Sequence, residues 1–142
     1  MFDFLKKKDE SSLSEQDLML NVACLLIHAA KIDENYTENE NILIKKIILE
    51  LGADKSNIDS LMQEAEKNEE NTNQILSFTK KIKESDYKFK SKIIEALWKV
   101  IYSNNEEDMY ESNLMRRLSG LLYLDKKAVV EIKEKVKKDL GK

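Results

Sequence analysis

Four oxygen-bearing side chains recur at one spacing. Asp33 and Glu40 stand seven residues apart, and Asn104 and Glu111 repeat that interval 71 residues later. Carboxylate and amide oxygens suit hard divalent cations such as Ca²⁺, Mg²⁺ or Mn²⁺. Neither His nor Cys belongs to the set, which argues against zinc or iron. An EF-hand is excluded, because the interval is too short and that motif's glycine and staggered aspartates are missing. A purely structural role competes. Thr37-x-x-Glu40 and Asp108-x-x-Glu111 have the form of capping boxes, in which the glutamate bonds back to the N-cap amide. The positive end of a helix stabilises an anion there and disfavours a nearby cation. Asp33 and Asn104 can bond backbone amides in the same turns. Both roles stay open, since a carboxylate has two oxygens.

Other chemistry has less support. His28 is the only histidine and lies among apolar neighbours, with no nucleophile or acid positioned for it by sequence. Ser85, Ser91 and Ser119 lack the context of a nucleophile elbow. The three glycines are isolated at positions 52, 120 and 141, so no phosphate-cradling loop exists. The pair Glu106-Glu107 would serve glycosidase-like chemistry only in a cleft of a kind that a helical bundle rarely offers. No catalytic residue is assigned and no organic cofactor is expected. Cys24 stands alone in the run Val22-Ala23-Cys24-Leu25-Leu26-Ile27 and reads as a small buried hydrophobe in a reducing, cytoplasmic setting.

These residues must be positioned by helices. The 142-residue chain is 42% apolar and 36% charged, with no proline. Apolar residues fall at steps of three and four in seven segments. They are Leu18 to Ile32, Leu43 to Leu51, Ile58 to Ala65, Ile75 to Ile82, Phe89 to Ile101, Leu114 to Leu122, and Val129 to Leu140. Period-two alternation is nowhere sustained, so no strand is predicted. Thr37 and Asp108 are expected to cap the second and sixth helices, and Asp54 and Asp125 the third and seventh. Gly52 reads as the C-cap of the second. Asn71 or Thr72, then Asp86, are expected to open the fourth and fifth. Phe78, Phe89, Trp98 and Tyr102 are the expected large core fillers.

The offset of 71 extends beyond the four candidate ligands. Lys45-Lys46 recurs as Arg116-Arg117, and Leu51-x-Ala53-Asp54-Lys55 as Leu122-x-Leu124-Asp125-Lys126. A fixed self-offset marks two copies of one supersecondary unit. The expected fold is therefore all-α: a seven-helix bundle of two repeats related by a pseudo-two-fold axis. Residues 1–12 are read as a flexible segment and 13–140 as a single domain. Repeat one covers about 13–68, a linker helix about 72–84, and repeat two about 86–140. In this arrangement the two acidic loops face each other, and Asp33, Glu40, Asn104 and Glu111 converge.

Charge bounds the partners. A net charge of −3 argues against nucleic acid, which rewards a basic face. Arginine occurs only at 116 and 117. Residues 31–70 carry eleven acidic side chains against five lysines, and 126–142 carry seven lysines against three acids. Such polarity can steer a protein partner, although solvated helix faces are the commoner reason for it. The chain has no stretch of about 18 apolar residues and so no predicted transmembrane span. Residues 1–8 can touch a membrane surface weakly but are too few to hold there alone.

The sequence resembles the tellurite-resistance TerB family. The matching stretches in the first copy are Leu25 to Asp33, then Tyr36-Thr37-Glu38 and Glu40. In the second they are Glu95 to Val100, Tyr102, Asp108, Tyr110-Glu111 and Leu114 to Leu118. The resemblance implies an all-α, two-repeat domain with a proposed metal site at the acidic loops and no established enzymatic activity. It also implies kinship with a domain of a membrane-anchored J-domain co-chaperone, hence the alternative of a metal-free protein-interaction module. Asp33, Glu40 and Glu111 match the family pattern. Asn104 stands where the family usually has Asp, and Glu34 and Asn105 where it usually has Gly. Losing one anionic ligand predicts weaker cation binding than four carboxylates would give.

Overall fold

A computed structural model describes residues 2–32, 36–72, 75–104 and 109–141, with the backbone alone for 2–14 and 104. Seven helices follow in order: α1 (Phe2–Lys31), α2 (Glu38–Leu51), α3 (Ile58–Asn71), α4 (Leu76–Ile82), α5 (Tyr87–Asn104), α6 (Met109–Leu121) and α7 (Lys126–Asp139). The described residues contain no strand. The all-helical class and the number of helices thus agree with the periodicity.

α1 starts well upstream of its apolar stripe. No glycine or proline precedes Gly52, so nothing in the covalent chain stops a helix across 2–17. Farther along, the single stripe becomes a full circumference: Val22 through Ile27 are all buried, as are Ala29 and Ala30. A helix apolar on every side belongs in the middle of a core. Accordingly α1 packs against α2, α3, α4 and α5. α5 is the second central element, touching α1, α2 and α7 and burying Ile93, Ile94, Leu97, Trp98 and Ile101. Phe78, Trp98 and Tyr102 fill the core as expected, whereas Phe89 is only half-buried at its edge.

The outer helices run alongside these two. The Cys24 Sγ donates to the Ala65 carbonyl at 3.6 Å, and one turn on His28 meets Glu69. A constant separation of 41 residues means that α1 and α3 lie parallel. In the second half the Trp98 indole N–H donates to the Val129 carbonyl at 3.2 Å. Lys133 covers the Trp98 ring, and one turn on Lys137 covers Tyr102, so α5 and α7 are parallel as well. α2 and α6 are the return segments.

Most helix ends follow local chemistry. Asp125 caps α7 by accepting from Lys127 N–H at 3.1 Å, and Asp86 accepts from Phe89 N–H at 2.8 Å at the start of α5. Two expectations are corrected. Asp54 does not cap α3, because its carboxylate accepts from the Ser56 amide (3.0 Å) and hydroxyl (2.9 Å), and α3 begins only at Ile58. Thr72 closes α3 rather than opening α4, which starts after Ile75 without a side-chain cap. The proposed Asp108 cap lies outside the described residues.

Candidate functional site

At the start of α2 the Thr37 hydroxyl accepts from the Glu40 amide at 3.3 Å, and Glu40 Oε1 accepts from the Thr37 amide at 3.2 Å. The capping box is complete. Glu40 is only 2% exposed. At the equivalent place in α6, Glu111 lies in the first turn and is 3% exposed. Asn104 is the last residue of α5, and its side chain is outside the described residues, as is Asp33. Of the four expected ligands, therefore, two are placed in full: both are glutamates, both sit in the first turn of a return helix, and both are buried.

Carboxylates are seldom this buried without compensation. Part of it is local. The N-terminal turn of a helix presents unpaired amides and a positive dipole end, and Glu40 uses both.

The structure also brings together residues that the sequence does not pair. Glu66 and Glu69 lie in the last two turns of α3, where the dipole disfavours anions and the final turn holds no basic residue. Their partners come from elsewhere. Lys31 at the end of α1 pairs with Glu69 Oε2 at 2.8 Å, and His28 Nδ1 lies 3.3 Å from Oε1. The Lys31 cation at the C-terminus of α1 thus serves the Glu69 anion at the C-terminus of α3, which suits both dipoles. Glu66 Oε1 accepts from the Tyr36 hydroxyl at 2.7 Å and from the Asn41 amide nitrogen at 2.7 Å. Lys31 also stands 5.7 Å from the centre of the Tyr36 ring. Burial, followed by the bond to Glu66 and its charge, pushes the Tyr36 phenol upward even though the Asn41 bond opposes the shift.

This cluster ties Lys31 at the end of α1, and Tyr36 and Asn41 at the start of α2, to the C-terminal end of α3. Tyr36 is held from below by α3 and braced by Asn41 of α2, so the entry to the Thr37 cap is fixed. Sequence reasoning missed it because the partners are 25 to 41 residues apart. A usable signal was present: carboxylates crowded at the C-terminal end of α3 must find cations or donors on a neighbouring helix. His28, whose sequence context offered no catalytic partner, is one of those donors.

Among the described residues, no group of three or more His, Cys, Asp or Glu side chains is arranged to hold a metal ion. The donors that are placed, Glu40 and Glu111, have the hard-oxygen chemistry a divalent cation needs. Among the described residues no helix is both long and apolar enough to cross a membrane. The profile of the family described as tellurite resistance protein TerB matches residues 19–134, and the chain belongs to that family. No curated protein and no solved structure matches it.

Proposed function

We propose that this TerB-family chain is a non-catalytic binding protein that takes a hard divalent cation (Ca²⁺, Mg²⁺ or Mn²⁺) at the loops after α1 and α5. Asp33, Glu40, Asn104 and Glu111 are the ligands. The observation carrying this reading is the pair of buried glutamates, Glu40 and Glu111, set 71 residues apart in the first turns of α2 and α6. The cap engages Oε1 of Glu40, so the cation is assigned to Oε2. The approach of His28 Nδ1 to Glu69 at 3.3 Å, on the seam between α1 and α3, supports a structural role for the one histidine. A cytoplasmic, stress-associated role is the setting that family membership and the buried lone thiol support.

Calorimetric titration with Ca²⁺, Mg²⁺, Mn²⁺ and Zn²⁺ tests the proposal. Saturable heat with one of the first three, lost in Asp33→Ala and in Glu111→Ala, is the expected result. Thr37→Ala separates the two roles of Glu40. It should lower stability by roughly 1 kcal/mol through the lost cap yet leave the heat in place. Absence of heat with every ion in the folded protein would overturn the cation reading. A metal-free interaction module is then the better account, and the exposed apolar residues Met109, Tyr110 and Val130 favour that second reading.

A further inference from the structure

A cleft of about 270 Å³ opens between α6 and α7, with α5 beneath it. Trp98, Met115 and Val129 supply an apolar floor, and Arg116, Lys126 and Lys133 bring three cationic side chains to its walls. Not one of its described lining residues is acidic, in a chain with 27 Asp and Glu and a net charge of −3. The cleft also uses one of only two arginines. Arg116 and Lys126 are exposed, and neither takes part in an ion pair among the described residues.

At about 270 Å³ the cleft falls at the small end of the roughly 300–1,000 Å³ range of small-molecule pockets, a size that one or two side chains fill. The surface does not stop at the cleft. Met109, one turn before Ser112 on α6, is 68% exposed, and Val130 on α7 is 53% exposed. An apolar stripe with basic flanks along two helices fits an amphipathic helix that is acidic at its edges, anchored at i, i+3 or i+4, and i+7.

Two occupants from this chain fit less well. The N-terminal segment Phe2-Asp3-Phe4-Leu5-Lys6-Lys7-Lys8 has apolar anchors but carries the wrong charge. The acidic helix α3 of a second copy has the right charge, but Ile58, Met62 and Ala65 are already buried in its own core. We therefore propose that the α6–α7 groove docks an acidic amphipathic helix of a partner protein, its apolar anchor on Trp98, Met115 and Val129 and its carboxylates on Arg116 and Lys126.

Trp98 is the only tryptophan, so its fluorescence reports on the floor of the groove directly. The probe is a synthetic helical peptide with Leu at i, i+3 and i+7, Glu on both flanks, and no Trp or Tyr. Titrations are run in chelator, so the outcome is independent of any cation at the acidic loops. A saturable change in Trp98 emission is expected with the Glu peptide and not with its Lys counterpart. Arg116→Glu and Lys126→Glu, both at exposed positions, should each weaken it by roughly tenfold or more while the helical circular dichroism stays unchanged. The proposal fails if there is no saturable response, if the Lys peptide binds equally, or if both charge reversals bind like the unaltered protein. It also fails if sedimentation shows a dimer that Arg116→Glu abolishes, since the groove would then belong to a second copy.

Discussion

Gly52 and Tyr123, 71 residues apart, close the same turn with the same hydrogen bonds. The Gly52 amide reaches the Leu49 carbonyl (3.2 Å), and the Tyr123 amide reaches that of Gly120 (3.2 Å). Ala53 bonds Ile48 at 3.1 Å, and Leu124 bonds Ser119 at 2.8 Å. Both central residues have positive φ, 120° for Gly52 and 57° for Tyr123. The repeated sequence around Leu51 and Leu122 is thus a repeated backbone turn, and glycine holds the positive-φ position in only one of the two copies.

That asymmetry has an energetic consequence. A left-handed conformation costs an L-residue roughly 1–2 kcal/mol, offset by the chain entropy a glycine loses on folding. Tyr123 is 74% exposed, with Lys90 over its ring at 5.8 Å. Gly52→Ala should therefore lower stability by about 1 kcal/mol or more, since the nearest obstacle to a Cβ, Met19, is 3.9 Å away and only the backbone resists. Tyr123→Gly should be neutral or stabilising, by up to about 1 kcal/mol. Urea denaturation of the two variants checks the difference in sign. Equal losses would show that the strain does not reside in the turn.

Ser91 makes a second, independent case. Its hydroxyl oxygen is buried in α5 with no hydrogen-bond partner among the described residues. An unpaired buried polar group costs roughly 1–3 kcal/mol, and alanine is also the better helix former. Ser91→Ala should raise the unfolding free energy by about 1 kcal/mol in the same assay. A loss of stability would mean that the hydroxyl has a partner in solution.

The pattern of success in reading this chain follows the range of the interactions involved. The Thr37 box, the Asp86 and Asp125 caps and the Gly52 C-cap join residues two to four positions apart, so spacing alone exposed them. Asp54 and Asp125 follow the same turn, but only Asp125 caps a helix. The first copy carries Ser56, whose amide and hydroxyl donate to the Asp54 carboxylate, and α3 starts only at Ile58. The Glu66 and Glu69 cluster was invisible because its partners depend on α1 and α3 lying parallel, a fact of packing rather than of pattern. Of the four candidate ligands, Glu40 and Glu111 were legible as first-turn residues. Their burial was not, because it depends on which helices cover them.

The Glu69 cluster should be structural in a measurable way. Glu69 is a buried carboxylate whose two oxygens are divided between His28 and Lys31. Removing one partner of a buried pair leaves the rest uncompensated, but His28 and Lys31 are both partly exposed, so the loss is smaller than for a fully buried pair. Glu69→Ala is expected to cost about 1–3 kcal/mol. In a double-mutant cycle with Lys31→Ala the coupling should be favourable. Strict additivity would show that the pair does not interact in solution.

Cys24 sets the response to alkali. Its burial, reinforced by the charge of Glu69, pushes the thiol from its ordinary 9.0 up to about 12. The unfolded chain therefore releases this proton above about pH 9, whereas the folded chain keeps it until about pH 12. Below pH 9 the contribution is intact, and it is lost progressively as pH rises through that window. Tyr36 shifts in the same direction and adds to the decline. Stability measured by urea should fall from pH 8.5 to 10.5 more steeply in the unaltered protein than in Cys24→Ala, where lysine titration is common to both. The folded thiol should also resist an aromatic disulfide reagent at pH 8, reacting only as fast as the helices open. A rapid reaction without loss of helical signal would show that the α1–α3 seam, which Cys24 joins to Ala65, is open in the native state.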